Sequence, residues 1–303
     1  MKRGLIAWDK AELPPEVFET RLEGARQRLA ERDLPALIVY SDLSKSNYAR
    51  FYSNFMPYFN RALLVIPRAA ERRITEEDKP FLLCGLSPRV YPWIQSVTIL
   101  EEIIASPNLA AKLLEICAQR GWRRLGFLDP EGLPYDLHRA ITAAIQIEAV
   151  PHEGDDYERA MHRRARQMAC EGLLPEISPR LGPVLDYELV GNLERRLRRA
   201  GAEDLVILVT NGETAPAPAK GQTLREGFSV SLALEYRGHW AKIALHNRFG
   251  LWRRHETRLE TVSGPVVAQF LEIPDNGRRL FHGDTFWSPA WPHAPDPRTL
   301  EPL

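Results

Sequence analysis

Short, unbroken apolar runs alternate with amphipathic helical segments through the first half of this chain, and that alternation restricts the fold more than any other feature. Ala36-Leu-Ile-Val-Tyr40, Ala62-Leu-Leu-Val-Ile66 and Pro80-Phe-Leu-Leu-Cys84 carry no charged residue, the pattern of strands covered on both faces. Val97–Leu100, Leu125–Leu128 and Ile147–Val150 are shorter candidates. Between the strands, 17–32, 108–119 and 135–146 read as helices. In the first of these, Phe18, Leu22, Ala25 and Leu29 recur at helical spacing. Strands alternating with helices predict an α/β N-terminal domain over 1–150, a mixed sheet flanked by helices.

The pattern changes after that. Pro151-His-Glu-Gly-Asp-Asp156 is polar and turn-rich, a linker. A basic helix over 156–174 is expected to end in the passage holding Pro175, Pro179 and Pro183. Asp186 is placed to cap the next helix, in which Leu189, Leu193 and Leu197 stack and after which Gly201 follows. Leu205–Val209 reads as a strand. Phe228–Glu235 and Trp240–Leu245 read as a hairpin turning at Tyr236-Arg-Gly238. Together these predict an α+β second domain over 151–303.

Charge and cysteine usage exclude several classes. Lys+Arg and Asp+Glu are 40 each, a balance that argues against nucleic acid or an anionic membrane as the main partner and leaves local charged patches open. No apolar run approaches the roughly 18 residues of a spanning helix, and charges interrupt the first residues where a secretory leader needs an apolar core. Cys84, Cys117 and Cys170 are scattered and lack CxxC spacing. That argues against a disulfide framework or a cysteine zinc site and suits a reducing cytoplasm.

Three stretches of the second half carry a family resemblance: Leu181-Gly-Pro183 with Asp186-Tyr-Glu-Leu189; Arg199–Val209; and Leu224-Arg-Glu-Gly-Phe-Ser-Val230 with Tyr236-Arg-Gly-His-Trp-Ala-Lys242. In their joint order they resemble the catalytic domain of the pita-bread family, which holds creatinase, prolidase, aminopeptidase P and methionine aminopeptidase. The first half resembles the N-terminal domain that precedes it in creatinase and prolidase. The match lies in a helix, then Leu34-Pro-Ala-Leu-Ile-Val-Tyr-Ser-Asp42, an aromatic stretch, and Arg61-Ala-Leu-Leu-Val-Ile-Pro67. The resemblance runs over about 17–250. Phe270-Leu-Glu-Ile-Pro274 and Leu280-Phe-His-Gly-Asp-Thr-Phe286 faintly resemble later elements of that family. Since few residues follow Gly250, a pita-bread-like domain shortened at its C-terminus is expected.

The resemblance also implies a chemistry. The family's metal enzymes hold paired divalent ions with two Asp, one His and two Glu, the two Asp lying on the hairpin. Counted from Gly238, those two positions are Ser231 and Lys242. Lysine brings a cation where a cation should bind, and a serine hydroxyl is a poor ligand, so no metal and no other cofactor is expected there. Metal-free relatives use a histidine as general acid/base in the loop after the strand matching Leu205–Val209. Here the position falls near Ala217 or Ala219. In creatinase-like relatives the aromatic stretch and the arginine opening the next strand close the partner's active site. This implies a homodimer and makes Tyr58 and Arg61 candidate substrate-binding residues, Arg61 being able to hold a carboxylate bidentately.

The residues themselves add a constellation. Period-two alternation puts Lys242, His246 and Trp240 on one face of their strand, and Ser231 and Glu235 on one face of its partner. Lys242, Glu235 and His246, with His282 in a late turn, are the candidate catalytic residues. Ser231 and Trp240 are candidates for substrate binding. The bland alternatives are cross-strand ion pairs on an exposed face and a core-packing Trp240. His239, beside Gly238, is expected to be solvated, as are the arginines at 163, 164, 166 and 195–199. Two functions remain open. One is a metal-independent, creatinase-like C–N bond hydrolase, or an enzyme derived from it, acting on a small amidine or amide. The other is an inactive pita-bread pseudoenzyme that binds a small molecule, a peptide or a protein.

Overall fold

In the computed structural model the run beginning at Ala36 is a strand with every residue buried, β1 (Ala36–Ser41). The structure describes residues 7–42, 45–57, 60–69, 75–177, 183–211, 216–224, 228–246, 252–255, 258–261 and 268–273. The chain divides into two compact units, 1–153 and 154–303.

In chain order the first unit contains α1 (Pro15–Glu31), β1, α2 (Asn47–Ser53), β2 (Ala62–Pro67), β3 (Phe81–Cys84), α3 (Tyr91–Val97), β4 (Glu102–Ala105), α4 (Leu109–Arg120), β5 (Arg124–Leu128), α5 (Tyr135–Thr142) and β6 (Gln146–Val150). The six-stranded sheet runs β4-β3-β2-β1-β5-β6. β1 is antiparallel to β2 and parallel to β5, while β3–β4 and β5–β6 are parallel. The apolar runs are continuous because both faces are covered. Leu37, Val39, Leu64 and Ile66 point into one core with Leu22, Leu29, Tyr48, Tyr52 and Phe55. Ile38, Tyr40, Leu63 and Val65 point into the other, with Leu113 and Ile141. The sheet is mixed and flanked by helices.

Two local expectations fail here. Val97–Leu100 is not a strand, because its backbone is held elsewhere: Asn54 Nδ2 donates to Val97 O at 2.8 Å and Ile99 N to Ser53 O at 3.2 Å. The next strand is β4. The helix from Tyr135 ends at Thr142 rather than 146, since Gln146 already donates to Arg123 O at 3.0 Å as β6 opens.

The second unit contains α6 (Asp156–Ile177), β7 (Val184–Leu185), α7 (Asp186–Ala200), β8 (Asp204–Thr210), β9 (Thr223–Leu224), β10 (Ser229–Tyr236), β11 (His239–His246), β12 (Trp252–His255), β13 (Arg258–Thr261) and β14 (Ala268–Ile273). A four-stranded antiparallel sheet runs β14-β11-β10-β8, and β12 pairs with β13. One face of the sheet, with Leu232, Leu234, Ala241 and Ile243, packs under Ala165, Met168 and Leu173 of α6 and Leu189, Leu193 and Leu197 of α7. Gly172 permits the close approach of α6 to α7. A Cβ there would lie 2.3 Å from Leu197 Cδ2.

α6 passes through Pro175 and ends at Ile177, beyond the expected stop at 174. A proline in the last turn removes only one bond of the ladder. Asp186 is the first residue of α7 rather than its cap. Its carboxylate instead accepts from Lys220 N at 2.8 Å and Gly221 N at 2.9 Å, tying the loop after β8 to the start of the helix.

Candidate functional site

The β10–β11 pair turns through two residues, Arg237 (φ 51°) and Gly238 (φ 89°). Both are left-handed, as a tight hairpin matching the strand twist requires. The register sets Glu235 opposite Trp240, Ala233 opposite Lys242, and Ser231 opposite Ala244. Alternation then sorts the side chains. Leu232, Leu234, Ala241 and Ile243 enter the core beneath the helices. Ser231, Ala233, Glu235, Trp240 and Lys242 belong to the other face, on which Trp240 and Val206 pack against Ala233.

That other face is not a solvated one. Ser231 and Glu235 are each 1 % exposed and Lys242 is 3 % exposed, so exposed cross-strand ion pairs do not describe it. Lys242 lies one diagonal step from both Ser231 and Glu235, a separation of roughly 7–8 Å between backbones that long side chains bridge. Burial lowers the Lys242 pKa to about 8, because the low-dielectric surroundings disfavour the ammonium form. The Ser231 hydroxyl is buried and makes no hydrogen bond among the described residues.

Chemically this face offers an amine that loses its proton near neutral pH, a buried carboxylate and a buried hydroxyl. It does not fit a pair of divalent cations. On the hairpin, Glu235 is the one carboxylate of this face, and Lys242 would set its amine against them. The loop after β8 holds no imidazole at the positions singled out in the sequence. Ala217 is bridged to Val209 by bonds of 2.9 and 3.0 Å.

Arg61 belongs to the first unit, where it lines an open cleft of about 720 Å³ with Asn60, Gly85, Ser106, Asn108 and Asp136. It is half exposed and pairs with Asp136 at 3.1 Å. His246 takes its place at the end of β11, opposite Ser229, but its side chain, Tyr58 and His282 lie outside the described residues.

His239 is a correction. It is 9 % exposed rather than solvated, because strand alternation turns it to the same side as Ala241 and Ile243, toward α6. Its ring centroid lies 4.7 Å from that of His162, and its Nδ1 lies 4.0 Å from Glu158 Oε1. Sequence reasoning passed over Glu158 and His162. Their signal was a spacing of four on one helix, which puts both on one side.

No protein-family model matches the chain, and no curated protein matches it in sequence. Solved structures do match. The X-Pro aminopeptidase of Thermotoga maritima aligns over 81 % of this chain with a TM-score of 0.59 and 15 % identity. The Xaa-Pro dipeptidase of Bacillus anthracis aligns over 82 % with 0.55 and 18 %. The prolidase of Pyrococcus furiosus aligns over 75 % with 0.56 and 14 %. The chain spans 66 %, 66 % and 70 % of those three chains. At such identities the likeness is one of fold, and the fold of this chain is the pita-bread fold of the prolidase and X-Pro aminopeptidase structures.

Proposed function

We propose that the chain is a metal-independent hydrolase of a C–N bond in a small amide or amidine, with Lys242 as its general base. One observation carries the reading: a buried lysine whose pKa is pushed down to about 8, one diagonal step from a buried carboxylate and a buried hydroxyl. With that pKa roughly a tenth of the amine is neutral at pH 7, and burial is the usual means of making a lysine basic enough to work there.

In the proposed reaction the neutral Lys242 amine takes a proton from water. The hydroxide adds to the carbonyl or amidine carbon, and the ammonium returns the proton to the departing nitrogen as the C–N bond breaks. Glu235 orients the nitrogen end of the substrate, the Ser231 hydroxyl holds a polar group of it, and Trp240 forms a wall. The likeness to X-Pro aminopeptidase and prolidase structures supports a C–N bond as the target, by fold analogy. The reading includes a homodimer, which light scattering on the purified chain tests.

The second reading is a binding module without turnover. The favouring observation is Ala217, closed onto Val209 where metal-free relatives are expected to carry an imidazole. One experiment separates the two: amides, amidines, ureas and dipeptides are incubated with the protein in chelator, and released amine is measured. Turnover that rises with pH through about 8 and disappears in Lys242→Met supports the hydrolase. Equilibrium binding of a panel member without release supports the module.

A further inference from the structure

We infer that Glu158, His162 and His239 form a binding site for one divalent transition-metal ion, zinc(II) above others, on the side of the β10–β11 hairpin opposite Lys242. The ligand atoms of the three side chains all lie within 4.8 Å of one another. This is not the position of the family's paired ions, which Ser231 and Lys242 occupy.

The three groups are brought together by elements that leave little freedom. Glu158 and His162 sit four apart on α6, so they share one side of the helix. Asp155 accepts from Glu158 N at 2.7 Å and fixes the first turn of α6, where the helix dipole also favours an anion. His239 follows the Arg237-Gly238 turn directly, and both turn residues have positive φ, so the hairpin presents it at a set position. Glu158 and His239 are each 9 % exposed, which removes most competing water.

The donor set decides the class of ion. Two imidazoles and one carboxylate suit zinc and its neighbours, whereas magnesium and calcium prefer sites made of oxygen alone. Zinc–ligand bonds of about 2.0–2.1 Å put tetrahedral ligands roughly 3.4 Å apart. The His239–Glu158 separation of 4.0 Å is already close to that, and side-chain rotation closes the rest. Three protein ligands leave a fourth position for water or a small anion. Bound there, the ion links the first turn of α6 to the hairpin and stabilises the second unit by mass action.

The test uses the full chain, freed of metal with chelator and titrated with zinc(II) by calorimetry and with cobalt(II) by visible absorption. The expected result is one zinc per chain, a rise in melting temperature on adding zinc, and the intense visible bands of four-coordinate cobalt. His162→Ala with His239→Ala loses all three, and Glu158→Gln weakens binding roughly tenfold or more. Equal binding by the wild type and the double variant would overturn the site, as would no binding by the wild type. Should the double variant fail to fold, the cobalt spectrum of the wild type decides: a weak octahedral spectrum counts against the site. Lys242→Met must bind zinc as the wild type does, which keeps this result separate from the hydrolase reading.

Discussion

Lys242 and Glu235 stand one diagonal step apart across the β10–β11 pair, both sealed from solvent at 3 % and 1 % exposure. The amine therefore bears the cost of desolvation, and that cost depends on pH. Burial takes its pKa from 10.5 down to about 8. Below pH 8 the folded and unfolded chains both hold the proton, and the folded state keeps the charge in low-dielectric surroundings. Between 8 and 10.5 the folded state has released its proton and the unfolded state has not, so the cost is relieved as pH rises. Relative to Lys242→Met, the wild type is expected to gain stability as pH rises from 8 to 10.5, by on the order of 3 kcal/mol in all. Urea melts at a series of pH values measure it.

Gly172 carries the packing of α6 on α7. A methyl group there would meet Leu197 at 2.3 Å from Cδ2 and 2.9 Å from Cγ, inside a fully buried cluster. Alanine favours a helix by about 1 kcal/mol over glycine, yet overpacking costs about 1–3 kcal/mol, so Gly172→Ala lowers the melting temperature. Adding Leu197→Ala makes room, and the double variant is less destabilised than the sum of the two singles.

Asp186 anchors the loop after β8. Burial raises its pKa, but the N–H groups of Lys220, Gln222, Gly221 and Tyr187 outweigh that and hold the carboxyl below its ordinary value of 3.8. The stability this brings is present in full above 3.8 and is lost as pH falls through the lower folded value. Asp186→Asn costs about 1–3 kcal/mol at neutral pH, and the deficit fades in strong acid. Chemical denaturation at pH 7 and in acid compares the two.

In the first unit, Arg21 lies 3.9 Å from the Phe51 ring and donates to Phe51 O at 2.8 Å. Lysine keeps the charge but not the flat stacking surface or the fork of donors. Arg21→Lys therefore destabilises this unit by about 1–2 kcal/mol, which thermal melts detect.

These residues also mark what the sequence could reveal. The strands of the first sheet were legible because both faces are buried, so Ala36–Tyr40 and Ala62–Ile66 had to be apolar throughout. The second face of the hairpin was legible from alternation alone, which set Ser231, Glu235, Trp240 and Lys242 together. Their burial was not, since nothing local tells an exposed charged face from a covered one. Val97–Leu100 was misread because an apolar tetrapeptide fits the end of α3 and the residues after it, held by hydrogen bonds to Ser53 and Asn54, as well as it fits a strand. His239 was misread because its neighbour Gly238 suggested a tip, while alternation with Ala241 and Ile243 already turned it toward the helices.

The central claim is that the Lys242 amine gives up its proton close to neutral pH. Nuclear magnetic resonance of the protein carrying 13Cε-labelled lysine, with Lys242→Met identifying the signal, reads that proton directly. A titration centred near 8 is the predicted result. A signal that titrates at the ordinary lysine value of about 10.4 would contradict the account and remove the base from the proposed reaction.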